Sequence, residues 1–294
     1  MRDDERENEV LFLKAEVKRL RRSLSELTPP LSVLLRRRGF RIYKKEPKDD
    51  LLVPEGRFIE DYYRYLNRYS FRLFLRDVIK NQDRFTVKDV TRYATQGVTS
   101  DYIGFLALIG LIEKVEGENA YSLRKRPVKS FGPTLEWFIS EIFRREFAAE
   151  AVWGVKFKRP IVGGDYDLVA KIDGSILSME VKSSPPKQIY ANEISAFFDR
   201  VIDLRPEIAV FFMDTELRMK DKIVPMFEDE LRRRSLRGMP AVPENRDTQD
   251  ELVTVRRIEK ELFHIRDKIF IINAKDGIVQ NIERILIRYF RGSP

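Results

Sequence analysis

The sequence contains no cysteine and a single histidine, His264, among its 294 residues. The lack of cysteine excludes disulfide bonds, thiol catalysis and cysteine-ligated zinc, and the lone histidine excludes a histidine-based metal cluster. Any metal site must therefore consist of oxygen ligands. No other residue near His264 completes a catalytic triad, so we expect this histidine to be structural or surface-exposed.

Long apolar runs are also missing. No stretch of about 18 apolar residues occurs, and the first residues lack the apolar core of a secretory signal. We therefore expect a cytoplasmic protein that does not span a membrane. The glycine-rich motifs of nucleoside-triphosphate and dinucleotide sites are absent, as is the nucleophile elbow of serine hydrolases. These enzyme classes find no support in the sequence.

The charge balance is basic. The chain has 55 Lys and Arg against 47 Asp and Glu, a formal net charge of +8, and 43% hydrophobic residues. That apolar content is enough for one sizeable core and a second small one. A net positive charge suits a polyanionic partner, of which nucleic acid is the natural candidate.

One segment predicts a β-hairpin that carries acidic residues. Residues 163–170 and 176–182 both show β-type alternation, and Asp173 and Gly174 supply a turn between them. Period two places alternate side chains of each strand on one face. A carboxylate from one strand can therefore meet a carboxylate and an ammonium from its neighbour.

These residues have the chemistry of a phosphodiester-cleaving site. Asp167, Glu180 and the Val181 carbonyl offer hard oxygen ligands that suit Mg²⁺, which lowers the pKa of its bound water. Lys182 can then contact the attacking water or a phosphate oxygen. Asp165 is an alternative to Asp167 because both point the same way, but Asp167 opens the apolar part of its strand.

The pattern resembles the PD-(D/E)XK superfamily of nucleases. The matching residues are Asp167 and Glu180-Val181-Lys182, and Tyr166 stands where the nominal motif has proline. Many members add an acidic residue on the preceding helix, and residues 132–139 supply Glu136 at that position. The resemblance spans roughly residues 130–215, since a helical stretch and the apolar run 208–213 follow Lys182 in the expected order.

The resemblance implies an α/β fold with a restriction-endonuclease-like αβββαβ core and DNA cleavage that depends on Mg²⁺, for which Mn²⁺ can substitute. It implies catalytic roles for Asp167, Glu180, Lys182 and Glu136. It implies metal binding by Asp167, Glu180, Val181 and Glu136. Glu-x-Lys is also a common surface pattern, so the competing interpretation is a solvated ion-pair ladder in a non-catalytic nucleic-acid-binding or assembly protein. RNA is a lesser alternative as substrate.

Four regions are predicted along the chain. Residues 1–30 form an amphipathic helix, and its apolar positions lie near a heptad spacing, which favours either docking on its own chain or a homodimer. Residues 31–57 form a basic linker that could lie against phosphates, with a solvated linker or an edge strand as the more common case for such a run. Residues 58–128 resemble a winged helix-turn-helix domain, and residues 129–294 form the nuclease-like domain.

The winged-helix prediction rests on a helix near residues 70–80, a second helix led by residues 86–91, a turn near Gly97, a third helix from Thr99 and two wing strands. The third helix has no Arg or Lys, so specific base reading by it is doubtful. Protein contact is therefore an open alternative for this domain. The basic residues expected to contact nucleic acid are Lys88, Arg92, Arg124, Lys125, Arg126 and Lys129.

The C-terminal part extends the predicted sheet. Residues 251–264 are predicted as helical, residues 268–273 as a strand and residues 277–290 as a closing helix. In that last helix Ile278, Ile282, Ile285 and Ile287 are expected to face inward.

Overall fold

The computed structural model describes residues 28–158, 162–240 and 253–292, together with 12–13, 16–17, 19–20 and 23. The strands are β1 (Ile42–Lys44), β2 (Ile112–Lys114), β3 (Tyr121–Leu123), β4 (Glu150–Phe157), β5 (Tyr166–Ile172), β6 (Ser175–Lys182), β7 (Ile208–Met213), β8 (Arg256–Glu259), β9 (Leu262–Ile265) and β10 (Ile269–Asn273). The helices are α1 (Leu31–Arg37), α2 (Ile59–Leu66), α3 (Tyr69–Lys80), α4 (Gln96–Leu108), α5 (Gly132–Glu146), α6 (Ala191–Leu204), α7 (Ile223–Leu236) and α8 (Ile278–Arg291).

A large mixed sheet dominates the fold, and the expected α/β class is confirmed. Eight strands lie in the order β1-β4-β5-β6-β7-β10-β9-β8, and β2 pairs with β3 in a separate ribbon. The β6–β7 and β7–β10 pairs are parallel, whereas the remaining pairs are antiparallel. From α5 to β7 the chain follows the sequence-predicted order of helix, three strands, helix and strand.

Apolar clusters lie on both sides of this sheet. The largest includes buried residues of α2 to α5 and of α8, together with alternate residues of β5, β6 and β7. A second includes α6 and α7 with the other residues of β7 and with β9 and β10. The N-terminal helices and the sheet therefore share one core.

A buried ion pair reinforces that junction. Arg72 of α3 is almost fully buried, and its Nη2 lies 2.9 Å from Oδ1 of Asp214, which follows β7. Arg76 also contacts the Asp214 carboxylate. The end of β7, next to the predicted active site, is thus fixed to the helical segment.

The β5–β6 hairpin forms as the sequence predicts. Leu168 pairs with Met179 and Ile172 with Ser175 in an antiparallel register. Asp173 and Gly174 form the turn with φ values of 46° and 83°, in the left-handed region that two-residue hairpin loops require.

Strand alternation is interrupted at Gly154 in β4. Val152 and Val155 are three residues apart, so a regular strand would place them on opposite faces. Both nevertheless belong to the apolar cluster formed with α1. Gly154 lies between them with a φ of +57°, a conformation that favours glycine. Irregularities of this kind re-aim neighbouring side chains in a sheet.

Residues 31–57 contribute to the sheet and do not form the predicted basic linker. Leu31 and Leu35 of α1 are buried, and β1 pairs with β4 as an edge strand. The expectation of an edge strand here is therefore correct. The sequence pattern does not distinguish this strand from a linker, because a short edge strand exposes most of its side chains and can therefore carry basic residues.

Residues 58–128 have the predicted order of elements with two corrections. The predicted second helix is a single 3-10 turn over Val87–Val90. Gly97, predicted as a turn, lies inside α4, because the Thr95 side chain accepts a hydrogen bond from the Val98 N–H and caps the helix two residues earlier.

Two predictions in the C-terminal part are wrong. The predicted helix over residues 251–264 contains β8 and β9 where the structure describes it. The apolar residues of β9 are all buried, and a short buried run does not reveal its period. Ile287 is exposed because it lies nine residues after Ile278, half a turn away on the helix.

The predicted N-terminal helix lies largely outside the described residues. Those of its residues that are described, between Phe12 and Ser23, are helical. Among the described helices, none combines the length and the apolar character needed to cross a membrane.

Candidate active site

The predicted catalytic residues from neighbouring strands meet at one row of the sheet. Trp153 pairs with Leu168, and Leu168 pairs with Met179. One step further along both registers, Gly154, Asp167 and Glu180 lie side by side on β4, β5 and β6. The paired ladder between β5 and β6 ends at Leu168 and Met179, one step before this row, so the Val181 N–H is available to a side chain of β5.

Asp167 is half-buried and holds the end of this ladder. Its Oδ2 accepts a hydrogen bond of 2.7 Å from the Val181 N–H. The N–H and C=O of one strand residue point to the same side, so the Val181 carbonyl faces toward Asp167 as well. The carboxylate and carbonyl oxygens predicted as ligands are therefore neighbours.

Glu180 is 6% exposed and is held by two cations. Its Oε2 lies 2.6 Å from Nη2 of Arg200, and its Oε1 lies 2.9 Å from Nζ of Lys182. Burial of a carboxylate is tolerated when charged donors occupy both of its oxygens.

Lys182 lies between two carboxylates. Its Nζ is also 3.1 Å from Oε1 of Glu193, in the first turn of α6. The other oxygen of Glu193 accepts a hydrogen bond of 3.0 Å from the Tyr190 N–H, which caps this helix. The start of α6 therefore fixes the lysine ammonium beside Glu180.

Glu136 reaches the same region from α5. This helix has Pro133 in its first turn and a buried stripe that includes Leu135, Phe138 and Ile139, which packs against the sheet. A Cβ added at Gly154 would lie 3.7 Å from Oε2 of Glu136. The glutamate therefore approaches the Gly154 backbone in the row that contains Asp167.

Mutual repulsion marks these carboxyl groups as one cluster. Burial, followed by the charges of Asp167, Glu180 and Asp165, raises the pKa of Glu136 to about 9. Burial and the charge of Glu180 raise the pKa of Asp167 to about 8, against the opposing effect of the Val181 N–H. Carboxyl groups that resist ionisation in this way are typical of functional sites.

The pKa of Lys182 is raised, which favours the charged ammonium. Burial acts to lower this pKa, but Glu180, Asp167 and Glu193 together outweigh it, so the pKa is raised. Lys182 is therefore a cation in the folded protein at neutral pH. In this state its ammonium is a hydrogen-bond donor to Glu180 and Glu193.

The arrangement is not a ready-made metal site. In the part of the chain that the structure describes, no group of three or more His, Cys, Asp or Glu side chains is gathered closely enough to hold a metal ion. The Glu180 carboxylate is directed toward Arg200 and Lys182. The donor chemistry still fits a hard cation, since the clustered groups are oxygen ligands whose charges repel one another.

Asp165, the alternative to Asp167, lies at the margin of the site. It precedes the first residue of β5, its side chain is 48% exposed, and its Oδ2 pairs with Nζ of Lys156 at 3.0 Å. Asp167 lies within β5 and faces Glu180, whereas Asp165 precedes the strand and lies outside the row of the site.

The basic residues predicted to contact nucleic acid are all exposed. Several have local partners. The Arg124 guanidinium lies 3.7 Å from Glu113, Lys125 donates to the Lys48 carbonyl, and Arg126 donates to the Asp83 carbonyl. Lys88, Arg92 and Lys129 are the remaining members of this set.

Sequence reasoning missed three residues that shape the site, namely Arg200, Glu193 and Gly154. A signal for two of them existed. Glu193 and Arg200 are seven residues apart on a predicted helix, so they lie on the same face, directly after the Glu-x-Lys strand. No comparable signal marks Gly154, because its role depends on the approach of Glu136 and Pro47 from distant parts of the chain.

Among the solved structures that are similar to the chain are the following two. One is Can2 from Sulfobacillus thermosulfidooxidans, solved in complex with cyclic tetra-adenylate, with 14% identity and a TM-score of 0.48 over 90% of this chain and 61% of that chain. Another is protein VC1899 from Vibrio cholerae, with 12% identity and a TM-score of 0.41 over 72% of this chain and 57% of that chain. No family model and no curated protein matches the sequence. Both likenesses are weak, so neither assigns a function.

Proposed function

We propose that this chain is a metal-dependent DNA endonuclease of the PD-(D/E)XK type, with the restriction-endonuclease-like core formed by α5 to β7. One observation carries the proposal. Asp167 and Glu180 lie side by side on adjacent strands, with Glu136 beside them and Lys182 paired to Glu180. The raised pKa values of Glu136 and Asp167 support it. Burial and the charges of neighbouring carboxylates raise these pKa values, and a bound cation would relieve the repulsion between the carboxylates.

Asp167, Glu180, the Val181 carbonyl and Glu136 would hold the ion, which we take to be Mg²⁺ with Mn²⁺ as a substitute. When bound, the ion would supply a water of lowered pKa and neutralise charge on the scissile phosphate. The Asp167 carboxylate contacts the Val181 N–H, and the carbonyl of Val181 faces the same neighbouring strand. The Glu180 carboxylate pairs with Arg200 and would have to turn away from it to bind the ion.

The protein's own cations have distinct roles in this proposal. Lys182 stays charged and fixed by Glu193, so it positions the attacking water or neutralises a phosphate oxygen. Arg200 pairs with Glu180 and would become available to a phosphate oxygen if Glu180 turned toward a bound ion.

The helical segment over residues 58–128 would provide the contact surface for DNA, as a winged-helix-like unit. Its support is the set of exposed basic residues from Lys88 to Lys129 and the net charge of +8. Such residues contact the phosphate backbone without reading sequence. DNA is favoured over RNA because nothing in the sequence reads a 2′-hydroxyl.

Cleavage of labelled DNA tests the proposal. Duplex, single-stranded and branched DNA would be incubated with Mg²⁺ or Mn²⁺ and the unaltered chain, Glu180→Ala or Lys182→Ala. We expect cleavage by the unaltered chain and a loss of about a hundredfold or more in both variants, with DNA binding retained. Asp165→Ala is the matched control and should keep activity within about tenfold, since its carboxylate lies outside the row.

A second candidate is a nucleic-acid-binding or assembly protein on an inactive nuclease fold. The complete pairing of Glu180 with Arg200 and Lys182 favours it, because a structural ion-pair network needs no metal. This candidate predicts that no DNA is cut under any condition and that Glu180→Ala and Lys182→Ala bind DNA as the unaltered chain does.

A further inference from the structure

An exposed aromatic residue stands at the start of α6, beside the candidate site. Tyr190 directly precedes this helix and is 67% exposed. The residues preferred at this position are Ser, Thr, Asp and Asn, whose side chains cap the helix. The Tyr190 side chain makes no capping hydrogen bond, and the Glu193 carboxylate accepts from the Tyr190 N–H instead. The start of α6 therefore gives no reason for a large aromatic group here.

Short contacts fix Tyr190 at the rim of the site. One oxygen of the Glu193 carboxylate accepts from the Tyr190 N–H at 3.0 Å, and the other lies 3.1 Å from Nζ of Lys182. A single carboxylate thus joins the Tyr190 backbone to the lysine that pairs with Glu180. A ligand held by Lys182 is therefore a close neighbour of Tyr190.

The segment between β6 and α6 is firmly anchored. Pro186 and Ile189 are buried, and Ile189 packs in the apolar cluster of α6 and α7. The Lys187 carbonyl accepts a hydrogen bond of 2.8 Å from Nζ of Lys222, which lies on the segment after β7. A group on an anchored backbone loses less conformational freedom when a ligand binds. The Tyr190 ring is thus carried on a preorganised support.

Cationic side chains accompany Tyr190 on these two segments. Lys187 follows β6, Arg218 and Lys220 follow β7, and all three are exposed. In the part of the chain that the structure describes, none of the three forms an ion pair. Glu216 and Asp221 lie on the same segment as Arg218, so cations remain in excess. Exposed aromatic groups among cations suit a polyanion that also offers flat apolar faces, as an unpaired nucleic-acid strand does.

A second exposed tyrosine lies on the opposite side of the site. Tyr43 of β1 is 57% exposed and lies within electrostatic range of Lys156 on β4. Lys156 pairs with Asp165 at the margin of the site. Three steps in the sheet separate β1 from β6, about 14 Å at the usual strand spacing. A short run of nucleotides across the strand ends can therefore meet a tyrosine on either side of the site.

The accessibility of base faces selects the form of the nucleic acid. Bases in a duplex are stacked on one another, whereas unpaired bases are free to stack on aromatic side chains. The site is also recessed, since Glu180 and the Lys182 side chain are 6% and 20% exposed. A flexible single strand enters such a recess more readily than a stiff duplex does.

We propose that the chain acts on unpaired DNA and that Tyr190 stacks on a base beside the scissile phosphate, with Tyr43 contacting a base on the other side. The proposal rests on the nuclease function proposed above for its cleavage step, but the stacking does not depend on cleavage. Tyr190 is thus a residue that determines the form of DNA that binds.

DNA binding measured in EDTA, where a metal-dependent site cannot cut, tests the stacking. The full chain would be titrated into fluorescein-labelled oligothymidylate of about 15 nucleotides, and into a blunt duplex of the same length. We expect Tyr190→Ala to bind the single strand about fivefold or more weakly and the duplex less than about twofold more weakly. Tyr43→Ala should show the same selectivity. Tyr190→Phe keeps the ring and should bind as the unaltered chain does.

Phe290→Ala is the matched control. Phe290 is also an exposed aromatic residue, at 47%, but it lies in a cleft with Asp173 and Gly174 at the opposite end of the β5–β6 hairpin. This variant should bind both forms of DNA as the unaltered chain does. A loss of binding as large as that of Tyr190→Ala would show that exposed aromatic groups act without regard to the site, and would overturn the proposal.

Three further results would contradict the proposal. They are failure of the unaltered chain to bind the single strand, undiminished binding of the single strand by Tyr190→Ala, and equal losses for single strand and duplex. Undiminished binding by Tyr43→Ala would overturn the second contact. A chain that shows the expected binding but cuts no DNA with Mn²⁺ would contradict the nuclease function and would support the stacking.

Discussion

Asp167 and Glu136 are carboxyl groups in surroundings that oppose their charge. Burial and neighbouring carboxylates raise their pKa values to about 8 and about 9. A protein that needed only a stable fold would gain by replacing them with amides. Their presence therefore carries a cost in stability, which is a common trade-off at functional sites.

This cost gives a pH-dependent prediction for Asp167→Asn. A protonated Asp167 contributes stability that is fully present below its ordinary pKa of 3.8 and is lost as the pH rises through about 8. The asparagine variant keeps an oxygen that can accept from the Val181 N–H but does not titrate. In EDTA, its melting temperature should exceed that of the unaltered chain by at least about 2 °C at pH 9, with a smaller difference at pH 5. A difference that does not vary with pH would contradict the assigned cause.

Arg200 contacts the Glu180 carboxylate from α6. Its guanidinium pairs with Glu180, so the carboxylate that we propose as a metal ligand belongs to an ion-pair network in this structure. The same contact means that removing Arg200 leaves the acidic cluster more negative and Glu180 free to turn. Metal affinity should therefore increase in Arg200→Met.

The irregularity in β4 at Gly154 lies next to the Glu136 carboxylate. Gly154 has a φ of +57°, and a Cβ there would lie 2.5 Å from Cδ of Pro47. Gly154→Ala should lower the free energy of unfolding by about 1–3 kcal/mol from backbone strain, with a further loss from this clash. Urea denaturation measures the effect.

Gly174→Ala is its matched control. Gly174 also has a positive φ, of +83°, but no atom lies within 4 Å of an added Cβ. It should show the strain alone, so its loss of stability should be the smaller of the two. Equal losses would mean that contact with Pro47 is not the constraint on this strand.

Sequence patterns predicted elements well where the period was clear. Alternation of apolar and polar residues and the Asp173-Gly174 turn predict the β5–β6 hairpin. The juxtaposition of Asp167 and Glu180 could therefore be predicted from the sequence. The β8–β9 segment was mistaken for a helix because a short buried run carries no period. The linker prediction failed because α1 and β1 gain their order from packing on β4, which no local pattern records.

The helical segment and the sheet form one packed body. Arg72 and Arg76 converge on Asp214 at the end of β7, and one apolar cluster joins α2 to α5 and α8 with the sheet. The candidate site is thus held by distant parts of the chain, including Glu136 from α5 and Arg200 from α6. Sequence alone supplied Glu136 through the resemblance, but the contact of Arg200 with Glu180 exists only in the fold.

The central claim is that the carboxylates around Asp167 bind a divalent cation, and titration of the full chain with Mn²⁺, followed by the electron paramagnetic resonance signal of free Mn²⁺, tests it most directly. The account predicts binding by the unaltered chain, at least about tenfold weaker binding by Asp167→Asn, tighter binding by Arg200→Met, and a smaller loss in Asp165→Asn than in Asp167→Asn. No Mn²⁺ binding by any of these proteins, or equal binding by Asp167→Asn and the unaltered chain, would contradict it.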